Sequence, residues 1–518
     1  MRSGRVSVPA TGENRMHTAH LISAILFLLI VASAYAVYSP PGFALDMWFI
    51  KEKGLWHQFE LNGPHPSDWD KQWPPLDQAD RPPLAWFEQG IFHSTSKDLI
   101  TWHDEGVAVT IGKPGEWDDG KIASGNIVKR EGTFYLFYPG IREHPRPGEC
   151  ATPIGVATSK DMVHWTKHPD NPVMVPDGKI YDPAGNWRDC SFLWDEKQRI
   201  WYTVVCATAT GAGPIESRGC IALLRSADLI HWEALPPLVI SDRYTLGMEL
   251  PFLFKHGKKW YLGHSMYGNY FSKDWLAKHP EVEARGGVHY FIGDSMFGPF
   301  AIPEDDCLGC QPDPPPYAVQ LIDEGGDKLF MHWGPIRYAT ALPKKVEFLP
   351  SDLMRLVYWK GTEKARKESL AGGDSNRRYN LDADALPSAD IGTPATDCFF
   401  EGTVSGDGTV GFALGSALLV SVDVSAGVVK SLNPADRTPR EGREGKVSPD
   451  GPMRLKLVAD GSVVDVYAND IWMFSEHCGR PDPDQARLIA LSGKVTVDKV
   501  RLDRLATGNP IHRYGFNY

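Results

Sequence analysis

Ser96-Lys97-Asp98-Leu99-Ile100-Thr101-Trp102 returns as Ser159-Lys160-Asp161-Met162-Val163-His164-Trp165 and again as Ser226-Ala227-Asp228-Leu229-Ile230-His231-Trp232. The tryptophans stand 63 and 67 residues apart. A second repeat, a short aromatic strand after a turn, runs in phase with the first. Its instances are Trp56-His57-Gln58-Phe59, Phe134 to Tyr138, Trp201 to Val205, Trp260-Tyr261-Leu262 and Leu329 to Trp333. A period of this length is the mark of a repeat architecture. Five copies, each the size of a four-stranded antiparallel blade, predict a five-bladed β-propeller. A solenoid fits less well, because its repeats are shorter. The Ser-x-Asp turns themselves read as blade scaffolding.

Beyond the repeats, residues 360–378 are rich in charge, Gly and Ser, which reads as a connection. Short alternating segments then resume: Leu455 to Val458, Val463 to Tyr467, Val495 to Val497. That pattern predicts a β-sandwich. The expected layout is all-β: a signal peptide over 1–36, a propeller over 37–360, a linker over 361–380, a sandwich over 381–508 and a tail over 509–518.

In a propeller the innermost strand of each blade lines the central channel. The strand preceding each aromatic one contributes Asp46, Asn126, Asp189, Glu249 and Gln320 in turn. Three acids thus fall at equivalent places on three blades, each among apolar residues where an unpaired charge is costly. Rotation about the propeller axis brings them together. Paired carboxyl groups are what glycoside hydrolysis requires: one acid to protonate the leaving oxygen, one carboxylate to attack or to activate water. Crowding also keeps one of them protonated near neutral pH. A glycan-binding propeller without catalysis is the competing reading, although it has no need of paired carboxylates. Trp48, two residues from Asp46, is a candidate stacking platform on the same strand face, with core packing as the alternative. His93 is a candidate pocket residue, and Arg188 a candidate for orienting carboxylates or gripping sugar hydroxyls.

Composition narrows the partners. The 518 residues carry a formal charge of −11 with no long basic run, which argues against nucleic acid. Hydrophobic residues make up 42%, enough for a sizeable core. Arg2, Arg5 and Arg15 precede an apolar run from Leu21 to Val31, followed by Ala34-Tyr35-Ala36. This reads as a cleavable signal peptide and a secreted or periplasmic protein. An uncleaved membrane anchor is the alternative. Among the eight cysteines, Cys307-Leu308-Gly309-Cys310 has metal-ligand spacing. No second pair or His cluster in the sequence completes a zinc site, so a loop disulfide or two free thiols is expected. No metal or cofactor is expected. Cys206 and Cys220 flank a turn-rich connection and are expected to be near neighbours, open to bridging.

In this order the motifs resemble glycoside hydrolase family 32, the invertases, inulinases and levanases, from about Asp46 to Arg504. The resemblance implies a five-bladed propeller followed by a sandwich, and a retaining hydrolase of oligo- or polysaccharide β-fructofuranosides. Asp46 falls at the family's nucleophile. Arg188-Asp189-Cys190 is similar to its Arg-Asp-Pro motif, whose Asp stabilises the transition state. Met248-Glu249-Leu250-Pro251 is similar to its Glu-Cys-Pro motif, whose Glu is the acid/base. Ala123-Ser124-Gly125 resembles its Phe-Ser-Gly, which implies a sugar-site role for Ser124; Asn126 is a candidate sugar contact by its blade position. Tyr317-Ala318-Val319-Gln320 resembles its Tyr-Ala-Ala-Gln. The family's Asn-Asp-Pro-Asn-Gly is here Leu45-Asp46-Met47-Trp48-Phe49, without either asparagine. That departure leaves open an inverting arabinofuranosidase or xylosidase of the related family 43.

Overall fold

The computed structural model describes residues 45–61 and 90–506, apart from 145, 246, 313–314, 335–338, 372–376, 396, 461–462 and 478–484. The signal-peptide segment, the 509–518 tail and Cys478 lie outside the described residues. Among the described residues no helix is long and apolar enough to cross a membrane.

Five antiparallel meanders follow one another along the chain. The first runs through Leu45–Glu52, Leu55–Leu61, Gly90–Ser96 and His103–Thr110. The innermost strands of the other four are Asn126–Arg130, Trp187–Asp195, Glu249–His256 and Tyr317–Glu324. Each innermost strand neighbours the next, and the fifth neighbours the first, so the ring closes as a five-bladed propeller. Side-chain alternation supplies the packing between blades. In the first inner strand, Met47 and Phe49 enter the core shared with blade five. Trp48 turns the other way, into the core shared with blade two, beside Phe59 and Tyr138.

The Ser-x-Asp repeats are the turns between third and fourth strands. Ser96, Ser159 and Ser226 each accept the amide of the residue three on, at 2.9 Å. Asp98, Asp161 and Asp228 accept the next two amides. These bonds hold Leu99, Met162 and Leu229 at φ of 64°, 62° and 72°. The side chains thus stand in for the ladder that the turn interrupts.

The last strand of blade five, Met354–Tyr358, pairs through Val357 with Ile471 of the sandwich. The core of blade five runs on into Phe399, Tyr467 and Trp472. The second sandwich sheet holds strands from Ser388–Gly392 to Pro439–Lys446 and Ala486–Ser492. The described residues of the expected 361–380 linker include strands. Arg366–Ser369 and Arg377–Asp382 are strands hydrogen-bonded to Lys494–Leu505. Long-range pairing there overrides a composition suited to a loop.

Cys206 and Cys220 are free thiols. They are adjacent in register, but Cys206 pairs with Ile221 and Ala207 with Cys220, so their side chains leave opposite faces of the sheet. Cys307 and Cys310 form a disulfide.

Candidate active site

Four innermost strands begin with the same irregularity. Pairing with the second strand slips between Leu45 and Met47, Arg188 and Ser191, Glu249 and Phe252, and Tyr317 and Gln320. At each slip one non-glycine residue is left-handed: Asp46 at φ 36°, Asp189 at 60°, Leu250 at 49° and Ala318 at 52°. Such residues cost about 1–3 kcal/mol each and persist where surrounding structure enforces them. Bulges of this kind re-aim side chains at sheet ends.

Alignment by these slips sorts the site. Asp46 and Asp189 occupy the left-handed position itself. Glu249 does not: it precedes Leu250 and is equivalent to Arg188 and Tyr317, each the last paired residue before its slip. The three acids are therefore one residue out of the common phase expected of them. The equivalence of Arg188, Glu249 and Tyr317 places them side by side on consecutive blades. Arg188 Nη2 donates to Glu249 Oε1 at 2.6 Å, and Tyr317 donates its hydroxyl proton to Glu249 Oε2. Arg188 is fixed in turn by Asn186 Oδ1 at 2.5 Å, and its Nε lies 3.5 Å from Asp189 Oδ2. Tyr317 stacks on Tyr267 at 4.0 Å between ring centroids.

Asp189 is 5% exposed, and its Oδ2 accepts the Leu250 amide at 3.2 Å. Burial pushes its carboxyl up to about 7; Arg188 opposes the shift, and the charges of Glu249 and Asp46 add to it. On the opposite side of the ring, Ser124 donates its hydroxyl proton to Asp46 Oδ2. Gly125 permits this approach, because a Cβ there would overlap the Phe137 carbonyl oxygen. Asp46, Asp189, Glu249, Arg188 and Ser124 thus form one group at one end of the inner strands.

The other expected site residues make contacts of their own. Trp48 is 2% exposed; the slip at Asp46 breaks the alternation that would have put both side chains on one face. Gln320 accepts the Phe49 amide at 2.7 Å, so it fastens blade five to blade one. His93 lies on a third strand, stacked on Phe59 at 4.6 Å with Nε2 2.9 Å from His57 Nδ1, and is packed inside its blade. Asn126 is half-buried, its Oδ1 2.8 Å from the Ile127 amide of its own strand. Tyr317 and Asn186 were the residues missed. Tyr317 becomes visible in sequence once blades are aligned on the left-handed residue.

A sequence model described as "Glycosyl hydrolases family 32 N-terminal domain" matches residues 50–308. That range holds Arg188, Asp189 and Glu249; Asp46 stands just before it. The levanase of Bacillus subtilis (strain 168) is 25% identical over 448 residues, covering 75% of this chain and 59% of the levanase. The chain thus spans less than two thirds of that relative. Among solved structures, a GH32 β-fructofuranosidase from Bombyx mori superposes with a TM-score of 0.61 at 20% identity, over 90% of this chain and 94% of the other. The exo-inulinase of Aspergillus awamori gives 0.63 at 17% identity, over 91% and 99%. At these identities the superpositions bear on the fold alone, and they share the propeller-and-sandwich plan.

Proposed function

The chain belongs to glycoside hydrolase family 32, and from that premise we propose that it hydrolyses furanosidic bonds, β-fructofuranosides first, by retaining double displacement. Asp46 attacks the anomeric carbon while Glu249 gives its proton to the glycosidic oxygen. The sugar is left as an ester on Asp46. Glu249, now a carboxylate, takes a proton from water, which attacks the same carbon and frees Asp46. Asp189 holds sugar hydroxyls and meets the positive charge that develops at the ring. Arg188 orients Glu249, and Ser124 orients Asp46. The observation that carries this reading is the convergence of three carboxyl groups and one guanidinium from three blades. The scheme consumes only water.

The substrate is an oligo- or polysaccharide, and the basic and apolar N-terminus suits export, with an uncleaved anchor as the alternative. Incubation with sucrose, inulin, levan and arabinofuranosides, with product identification and the anomer first formed, tests the proposal. Fructose released with retention is expected. Arabinose released with inversion, and no fructose, would replace it by the second reading, which the missing asparagines around Asp46 favour.

A further inference from the structure

Blade four carries a second group of chemically able side chains. Glu249 pairs with Ser265, and Ser265 pairs with Val288. His289, the next residue, therefore stands two strands outward from the acid. It is 3% exposed and in register with Cys307 of the outer strand Cys307–Gln311. Nδ1 of His289 lies 3.3 Å from Asp306 Oδ2. Nε2 faces Cys310 Sγ at 3.8 Å and the Arg285 carbonyl oxygen at 3.1 Å. Between the cysteines Gly309 is left-handed, at φ 71°. Ligand atoms of His289, Cys307 and Cys310 all lie within 4.8 Å of one another, the one such group among the described residues.

The 3.8 Å between Cys310 Sγ and His289 Nε2 matches that of ligands sharing a metal. Zinc bound at about 2.3 Å to thiolate and 2.0–2.1 Å to imidazole, in tetrahedral geometry, sets sulfur and nitrogen roughly 3.5–3.8 Å apart. A carboxylate behind Nδ1 is the usual device for turning the Nε2 lone pair toward the ion. Charge also balances. Two thiolates and Asp306 face the ion and Arg243, whose Nη1 donates to Asp306 Oδ2 at 2.5 Å.

We infer that Cys307, Cys310 and His289 bind zinc when the cysteine pair is reduced, and that the disulfide and the metal are alternative states of one site. A dithiol reductant supplies two electrons and two protons. The S–S bond breaks, two thiols form, and the reductant closes to its own disulfide. Zinc then displaces both thiol protons and binds two sulfurs and Nε2. The Arg285 carbonyl or a water takes the fourth position.

The test uses the full chain, reduced with dithiothreitol and freed of it anaerobically, against the oxidised chain. Cobalt(II) is the probe. One ion per chain is expected in the reduced protein, with thiolate-to-cobalt charge-transfer absorption and tetrahedral d–d bands, both erased by one equivalent of zinc. The oxidised chain should show neither. His289→Gln should weaken binding at least ~10-fold, and C307S/C310S should remove the charge-transfer band while keeping the wild-type circular dichroism. Two results overturn the inference: no charge-transfer band in the reduced wild type, or a band that persists in C307S/C310S and so belongs to other thiols. The comparison of reduced with oxidised wild type stands even if His289→Gln fails to fold.

Discussion

The propeller axis and the boundary with the sandwich both bury charge, and they do so differently. At the boundary, Lys344 is wholly buried, donating to Asp465 Oδ2 at 2.8 Å and facing His332 Nε2 at 2.9 Å. In the sandwich, Arg366 meets Asp503 through Nε and Nη2 at 3.0 and 2.6 Å and lies over the Phe399 ring. Each of these cations has its anion. At the axis, Asp189 and Glu249 share one guanidinium, Arg188, and the charge of Asp46 adds to the rise at Asp189. Balanced interior pairs serve packing. Two carboxyl groups on one guanidinium, with left-handed backbone at Asp189 and beside Glu249 at Leu250, mark chemistry.

The largest test of that contrast is at the axis. Asp46→Asn should leave circular dichroism intact and lower kcat by about 10⁴-fold or more, in the range that removal of a nucleophile produces. Glu249→Gln should cost about 10²–10⁴-fold on a natural glycoside. It should be partly spared on a nitrophenyl glycoside, whose leaving group needs little protonation, whereas Asp46→Asn loses both. Near-normal turnover in Asp46→Asn would remove the axis from the comparison.

The balanced side should fail in stability instead. Lys344→Met leaves Asp465 buried without its cation and should cost about 3–5 kcal/mol in urea unfolding. The pair Lys344→Met with Asp465→Leu should recover most of this. Specific activity of the folded fraction should not change.

Asp189→Asn separates the two properties within one residue. The native carboxyl keeps its proton up to about pH 7, whereas the unfolded chain loses it near 4. Between those values the native state binds more protons, so this residue's contribution to stability falls as pH rises and is least above 7. The amide cannot titrate. The variant should therefore be the more stable protein at pH 8, by roughly 1–3 kcal/mol, with a flatter melting profile from pH 4 to 7 and much lower kcat. A variant less stable than wild type at pH 8 would mean that Asp189 is a satisfied structural acid.

Much of this contrast was legible in the sequence. Five aromatic strands and three Ser-x-Asp turns fix the blade count, because each turn needs a hydroxyl and a carboxylate at set offsets. The acids were found because each inner strand precedes an aromatic one. Strict alternation then misled. One slip per inner strand shifts phase, so Trp48 fell into the core, Gln320 onto the Phe49 amide, and Glu249 one place ahead of the aspartate position. His93 lies on a third strand, away from the channel. The strands within 361–380 were hidden because their partner, Lys494–Leu505, is more than a hundred residues away. The smallest expected effect concerns a feature read correctly: Ser159→Ala removes the bond to the Met162 amide and should lower stability by about 1 kcal/mol, with unchanged kinetics.

The meeting of blades one and five has a mechanical consequence. Among the described residues every blade is made of consecutive strands, and none borrows a strand from the other end of the chain. The circle is therefore a split washer, whose gap is bridged by side chains: Gln320 on the Phe49 amide, and Glu324 on Lys51 and the Trp56 indole. The sandwich anchors one lip, through Val357 and Ile471. The other lip carries Asp46. Any springing of the gap moves the nucleophile relative to Tyr317 and Glu249, so the width of the catalytic opening is governed by a clasp of three hydrogen bonds outside the reaction itself.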